Sequence, residues 1–208
     1  MGLILNRRRE MGGGEVLPYD AQIEYLQSSG TQYIDTLVSQ SSNIGALVRS
    51  YIAPGTSGDY CVIGIGSDSW RWGFSYYNSD QIQISGLSVA GATWQSYAIT
   101  SGIVHDFSYN YANDKNAYLD GNLIRSSIPY GNLTTGNIWM FGFNYNGGGT
   151  LWRGLKGRIY SCKMTSNGVL IRDMIPVRVG QVGYMYDKVS GTLFGNSGSG
   201  SFTLGPDV

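Results

Sequence analysis

From Gln22 onward the chain alternates apolar and polar residues in short runs, and turn-forming residues separate the runs. In Asn43–Ala53, Ile44, Ala46 and Val48 fall on one side and Leu47, Arg49 and Tyr51 on the other, the period of two that a half-buried strand requires. Pro54-Gly55 ends that run. The same reading predicts strands over Gln22–Gln27, Thr31–Asp35, Tyr60–Gly66, Trp70–Tyr77, Gln81–Ser85 and Ile103–Tyr111. Asn137–Phe143, Gly157–Thr165, Val169–Pro176 and Gly183–Tyr186 complete the set. Asp120-Gly121 predicts a tight hairpin between Ala117–Leu119 and Leu123–Arg125, and Asn167-Gly168 predicts a second. No stretch carries a capped helical stripe. Many short strands with regular turns imply an all-β, antiparallel two-sheet sandwich or a barrel.

Residues 1–20 follow different rules. Leu3, Ile4 and Leu5 precede Arg7, Arg8 and Arg9, and Gly12–Gly14 make a flexible joint. Such a segment cannot build a core alone, so it is expected to be an extended arm that frays or docks on another subunit. Residues 21–208 then form one domain, long enough to bury roughly 70% of the surface of the unfolded chain.

Composition supports β structure: 31 Gly and 16 Tyr stand beside only 13% charged residues. The formal net charge of +0 removes any global attraction to nucleic acid or anionic membrane. Three arginines could neutralise only about three phosphates, so no nucleic-acid partner is expected. No run approaches the roughly 18 apolar residues of a membrane span, and no apolar stretch follows the arginines as in a signal peptide. The protein is therefore expected to be made in a cytoplasm. Asn132-Leu133-Thr134 is a sequon that matters only in a eukaryotic secretory pathway.

Candidate chemistry is sparse. The only Glu residues are Glu10, Glu15 and Glu24, all ahead of the body of the domain, so no Glu pair is available for glycoside hydrolysis. Asp59, Asp68 and Asp80 occur singly in turn-like settings, and Asp120 and Asp187 have turn roles. His105 lies on an alternating strand with Asp106 directed to the other face, which reads as a structural histidine. The chain is expected to be no enzyme and to need no cofactor. Cys61 and Cys162 each sit in an apolar run and read as buried thiols, with a bridge between them only if their strands are neighbours.

Aromatic residues are the positive signal. Trp70, Trp72, Phe74 and Tyr76 alternate along one strand, where core packing is the favoured role. Tyr145, flanked by Asn144 and Asn146 ahead of Gly147–Gly149, reads as an exposed loop. Trp94, Trp152 and Tyr77 lie in or near similar connections, and these six residues are the candidate carbohydrate-binding set. Rings stack on the C–H faces of sugars and also suit protein partners.

Residues 116–124, Asn-Ala-Tyr-Leu-Asp-Gly-Asn-Leu-Ile, resemble the hairpin element of laminin-G-like domains. The flanking runs Val104–Tyr109, Ile138–Gly142 and Gly157–Met164 follow in the same order. The opening Glu24–Thr36 and the closing runs Arg172–Arg178, Tyr186–Asn196 and Gly205–Asp207 resemble concanavalin A-like modules of tailed phages and prophages of gut Bacteroidales, as does the start Met1–Met11. The resemblance implies a concanavalin A-like jelly roll serving as a virion accessory protein: a head fibre, a capsid decoration or a tail-fibre module. It further implies a homotrimer, docked on other virion proteins through Leu3, Ile4, Leu5, Arg7, Arg8 and Arg9, with a host glycan as further partner. Laminin-G-like domains often bind calcium, for which Asp68, Asp80 and Asp114 are the candidates, although they lack the spacing of a calcium loop. A stand-alone lectin or carbohydrate-binding module is the alternative, and a divergent glycoside hydrolase the third.

Overall fold

The structure is a computed structural model that describes residues 17–67, 71–85, 95–110, 114–128 and 135–208. The arm residues Leu3 to Arg9, together with Asp68, Trp70, Trp94 and the 132–134 sequon, lie outside the described residues. The first strands are β1 (Ala21–Gln22), β2 (Leu26–Ser29), β3 (Ile34–Ser39), β4 (Ile44–Tyr51), β5 (Asp59–Gly66), β6 (Arg71–Tyr77) and β7 (Gln81–Ser85). Next come β8 (Gln95–Ala98), β9 (Val104–Asn110), β10 (Asn116–Leu119), β11 (Asn122–Arg125), β12 (Asn137–Met140), β13 (Phe143–Tyr145) and β14 (Thr150–Trp152). The chain finishes with β15 (Lys156–Ser166), β16 (Val169–Val179), β17 (Val182–Asp187), β18 (Thr192–Phe194) and β19 (Thr203–Leu204). No helix occurs among the described residues, so none is long and apolar enough to cross a membrane.

Two sheets face each other, as the alternation requires. The larger runs β11-β10-β9-β4-β15-β16-β17-β18, and the smaller runs β14-β13-β5-β6-β7-β8 with β12 joining β5 to β3. The long strand β15 pairs along one edge with β4, and its other edge is shared between β16 and β2. Every strand pairing is antiparallel except β13 with β5. This is the all-β two-sheet sandwich expected from the sequence.

The core forms where the inward rows meet. Trp72, Phe74 and Tyr76 on β6 are buried and cross the interior to β9, with ring centroids 5.9 Å between Trp72 and Tyr109 and 5.7 Å between Tyr76 and Phe107. These edge-on contacts add to the burial of large rings. Tyr76 also meets Ser50 through a 2.9 Å hydroxyl–hydroxyl hydrogen bond, which satisfies both groups in a dry interior. Burial raises the Tyr76 hydroxyl far above its ordinary range, so it stays a neutral donor.

Both predicted hairpin turns form with left-handed pairs: Asp120 and Gly121 at φ 49° and 78°, Asn167 and Gly168 at 50° and 76°. Two predicted runs are divided instead. Asn137–Phe143 breaks because Phe141 takes φ 66° and turns into the core against Phe202, with centroids 4.7 Å apart. Gln22–Gln27 splits because Ala21–Gln22 pairs with β16 whereas β2 pairs with β15, and Ile23 between them bridges to Asp207. Cys61 and Cys162 are buried free thiols in different sheets, which removes the bridge.

Candidate functional site

The β13–β14 hairpin carries four of the six candidate residues, Asn144, Tyr145, Asn146 and Trp152, and much of their bonding capacity is engaged within the fold. Asn144 is only 3% exposed. Its Nδ2 donates to the Asn137 carbonyl at 2.9 Å and its Oδ1 accepts from the Gly149 N–H at 3.1 Å. A buried asparagine that ties β12 to its own turn is not presented to a ligand. The indole of Trp152 is already engaged: the guanidiniums of Arg71 and Arg153 lie 4.4 and 4.2 Å from its ring centre, and Tyr145 meets it at 5.3 Å. Arg71 Nε donates to the Ser67 carbonyl at 2.7 Å, and Arg153 pairs with Asp59. The cluster holds the hairpin on β5 rather than presenting an open ring. Asn146, at φ 53°, is exposed and closes the turn, its N–H donating to the Gly66 carbonyl. Tyr77 is 41% exposed at the end of β6, the most open of the described aromatic candidates.

His105 is buried and is indeed bound into the fold. Its Nδ1 lies 2.7 Å from Asp120 Oδ2 and its Nε2 lies 2.8 Å from the Thr100 carbonyl. The nitrogen that would activate a serine therefore faces a main-chain acceptor. The partner, Asp120, belongs to the hairpin turn, whereas the sequence neighbour Asp106 points outward, 3.8 Å from Arg49. Asp80 lies beside the smaller sheet and Asp114 beside the larger, so these two calcium candidates do not converge. No cluster of three metal-ligating side chains occurs among the described residues.

The outward face of the larger sheet holds a site that the sequence did not single out. Register places Tyr118 beside Ser108, Ser108 beside Leu47, and Leu47 beside Lys163, one residue each from β10, β9, β4 and β15. With Asp114, Thr165 and Leu170 they line a groove of about 430 Å³. That is within the size range of small-ligand sites. Leu47 and Leu170 are 40% and 42% exposed, an apolar pair on a face that alternation would normally give to polar residues. The Tyr118 hydroxyl donates to Asp114 Oδ2 at 2.5 Å, which fixes the ring, and no aromatic or cationic group among the described residues covers it. Asp114 Oδ1 accepts the Asn116 N–H at 3.0 Å, so both its oxygens are used within the chain. Among the described residues, the side chains of Lys163, Ser108 and Thr165 make no hydrogen bond or ion pair. One fixed ring, two apolar side chains and three uncommitted polar groups therefore face solvent together. The one local signal in the sequence is Leu47 on the outward phase of β4.

The chain matches no family model and no curated protein. Its fold is shared. A solved structure described as a "putative carbohydrate binding protein" from Bacteroides ovatus superposes with a TM-score of 0.56 at 10% identity. The match covers 88% of this chain and 60% of that one, so this chain spans less than two thirds of the neighbour's length. At that identity the likeness is one of architecture: a β-sandwich module.

Proposed function

We propose that this chain is a non-catalytic, glycan-binding β-sandwich that acts as an adhesive or structural module of a larger particle. The observation that carries the reading is the outward groove, where the uncovered Tyr118 ring lies beside uncommitted donors and acceptors. A pyranose offers an apolar C–H face and a rim of hydroxyls. Tyr118, Leu47 and Leu170 suit the face, and the Ser108 and Thr165 hydroxyls suit the rim. The carbohydrate-binding description of the structural neighbour supports the same class of ligand. No step of catalysis enters the reading: His105 is capped at both nitrogens, and Asp59, Asp114 and Asp187 are committed to partners within the fold.

The particle is a tailed-phage virion in this proposal, a setting that rests on the sequence resemblance. In it residues 1–20 dock the module on other virion proteins, the sandwich faces outward and three copies assemble. A stand-alone carbohydrate-binding module is the second reading, favoured by the structural neighbour alone.

Glycan-array binding by the full chain, repeated with Tyr118→Ala, tests the ligand. Specific signals that fall about five- to thirty-fold in the variant are expected, the loss of one stacking ring being roughly 1–2 kcal/mol. An unchanged profile would remove the groove from the proposal. Deleting residues 1–20 and assaying incorporation into particles separates the virion module from the stand-alone one.

A further inference from the structure

Building on the glycan-binding reading, we infer that the groove selects an acidic sugar, with the Lys163 ammonium as the group that reads the sugar's anionic substituent. The groove holds one carboxylate and one ammonium. Asp114 has committed both oxygens, one to the Tyr118 hydroxyl and one to the Asn116 N–H. Its carboxylate is thereby held against Tyr118 and the β10 backbone, and it makes no ion pair with Lys163. Lys163 is exposed, and no hydrogen bond or ion pair engages it among the described residues.

The neighbours of Lys163 across the sheet do not change this. On one side it faces Leu47. On the other it faces Asp173, whose Oδ2 lies 3.6 Å from Lys188 Nζ, so that carboxylate already has a cation. The remaining free polar groups, Ser108 and Thr165 hydroxyls, carry no charge. The groove thus presents one ammonium without an ion-pair partner among the described residues, beside a ring and two leucines.

A neutral hexose would use the ring and the hydroxyls but leave that ammonium to water. A hexuronic acid keeps the same ring and puts a carboxylate where the neutral sugar has a hydroxymethyl group. A charge-assisted hydrogen bond to it is stronger than a neutral one. A sulfated hexose offers the same anionic chemistry from a different substituent.

The test is a titration of the full-length protein, followed by NMR chemical shifts, with matched monosaccharides. The probes are methyl glucuronide and methyl galacturonide against methyl glucoside and methyl galactoside, with glucose 6-sulfate as the sulfate arm. At low salt, at least one uronide is expected to bind about ten-fold more tightly than its neutral counterpart, the effect of one charge-assisted contact. Lys163→Met should bring uronide binding down to that of the neutral sugar measured on the same variant, and raised salt should narrow the preference in the wild type. If glucose 6-sulfate alone shows the preference, the substituent is a sulfate and the carboxylate assignment falls. Equal binding of uronide and neutral sugar, or a preference that survives Lys163→Met, overturns the inference and leaves the glycan reading standing. Absence of binding by every probe, with no shift at Tyr118, overturns both.

Discussion

Replacing Asp187 with alanine removes the most heavily used acceptor in the described structure. Its side chain is fully buried at the end of β17, and it accepts from the Asp173 N–H at 2.8 Å and the Ser190 hydroxyl at 2.7 Å. The Val189 and Ser190 N–H groups add bonds of 3.2 and 3.3 Å, and Arg172 Nη1 lies 3.7 Å away. The carboxylate therefore ties β16 to the turn that sends the chain into β18. Alanine would strand three main-chain donors and a half-buried guanidinium. Stranding a buried donor costs about 1–3 kcal/mol, and water can reach the turn to recover part of it. Breaking a buried charged network by removing one partner costs about 3–5 kcal/mol, and that is the expected loss for Asp187→Ala. At this chain length each kcal/mol lowers Tm by about 2–4 °C, so the melting transition should fall by roughly 6–20 °C. Urea denaturation gives the free energy directly, with the slope unchanged if the native fold is retained. Asp187→Asn keeps one acceptor and should fall between the two. A loss below about 1 kcal/mol in the alanine variant would refute the view that this carboxylate organises the C-terminal strands.

Three further expectations follow from the same structure. Burial pushes the Cys61 and Cys162 thiols well above their ordinary range, so neither should react with a disulfide reagent at neutral pH until the protein unfolds; prompt native-state labelling would contradict their placement. Phe107 meets both Phe74 and Tyr76 across the sandwich, and Phe107→Ala should cost about 3–5 kcal/mol in denaturant titration. Asp207 is bonded to Arg178 at 2.7 and 2.5 Å, and that bonding, followed by the charge of Arg178, lowers its carboxyl below the ordinary range. A depressed carboxyl stabilises the fold above the ordinary carboxylate range, and the contribution is lost as the pH falls through the lowered value. Hydrogen-exchange protection near the C terminus, referred to the intrinsic rate at each pH, should therefore fall in acid, and Arg178→Met should abolish that pH dependence.

How far the sequence could be read depends on the range of the interaction involved. Strand alternation and the Asp120-Gly121 and Asn167-Gly168 turns are local, and they anticipate the strands and hairpins that form. Trp72, Phe74 and Tyr76 declare themselves as a core row because they share one phase of one strand. The site was harder for the opposite reason. Leu47, Ser108, Tyr118 and Lys163 meet only through the registers of four strands, which no local window contains. Asn144 and Trp152 look exposed in a Gly- and Asn-rich run, yet one is buried against its own turn and the other is held by Arg71 of β6 as well as by its chain neighbour Arg153. Aromatic content marks where rings are, whereas exposure depends on what the fold lays over them.

The strands that end the two main sheet paths are all short: four residues in β11, three in β18, three in β14 and four in β8. A long bare edge invites the same edge of another copy to add on as a further strand. These edges offer only one or two hydrogen-bonding positions before the chain turns away. At high local concentration, copies of the sandwich therefore find little length along these edges over which to zip together into fibres.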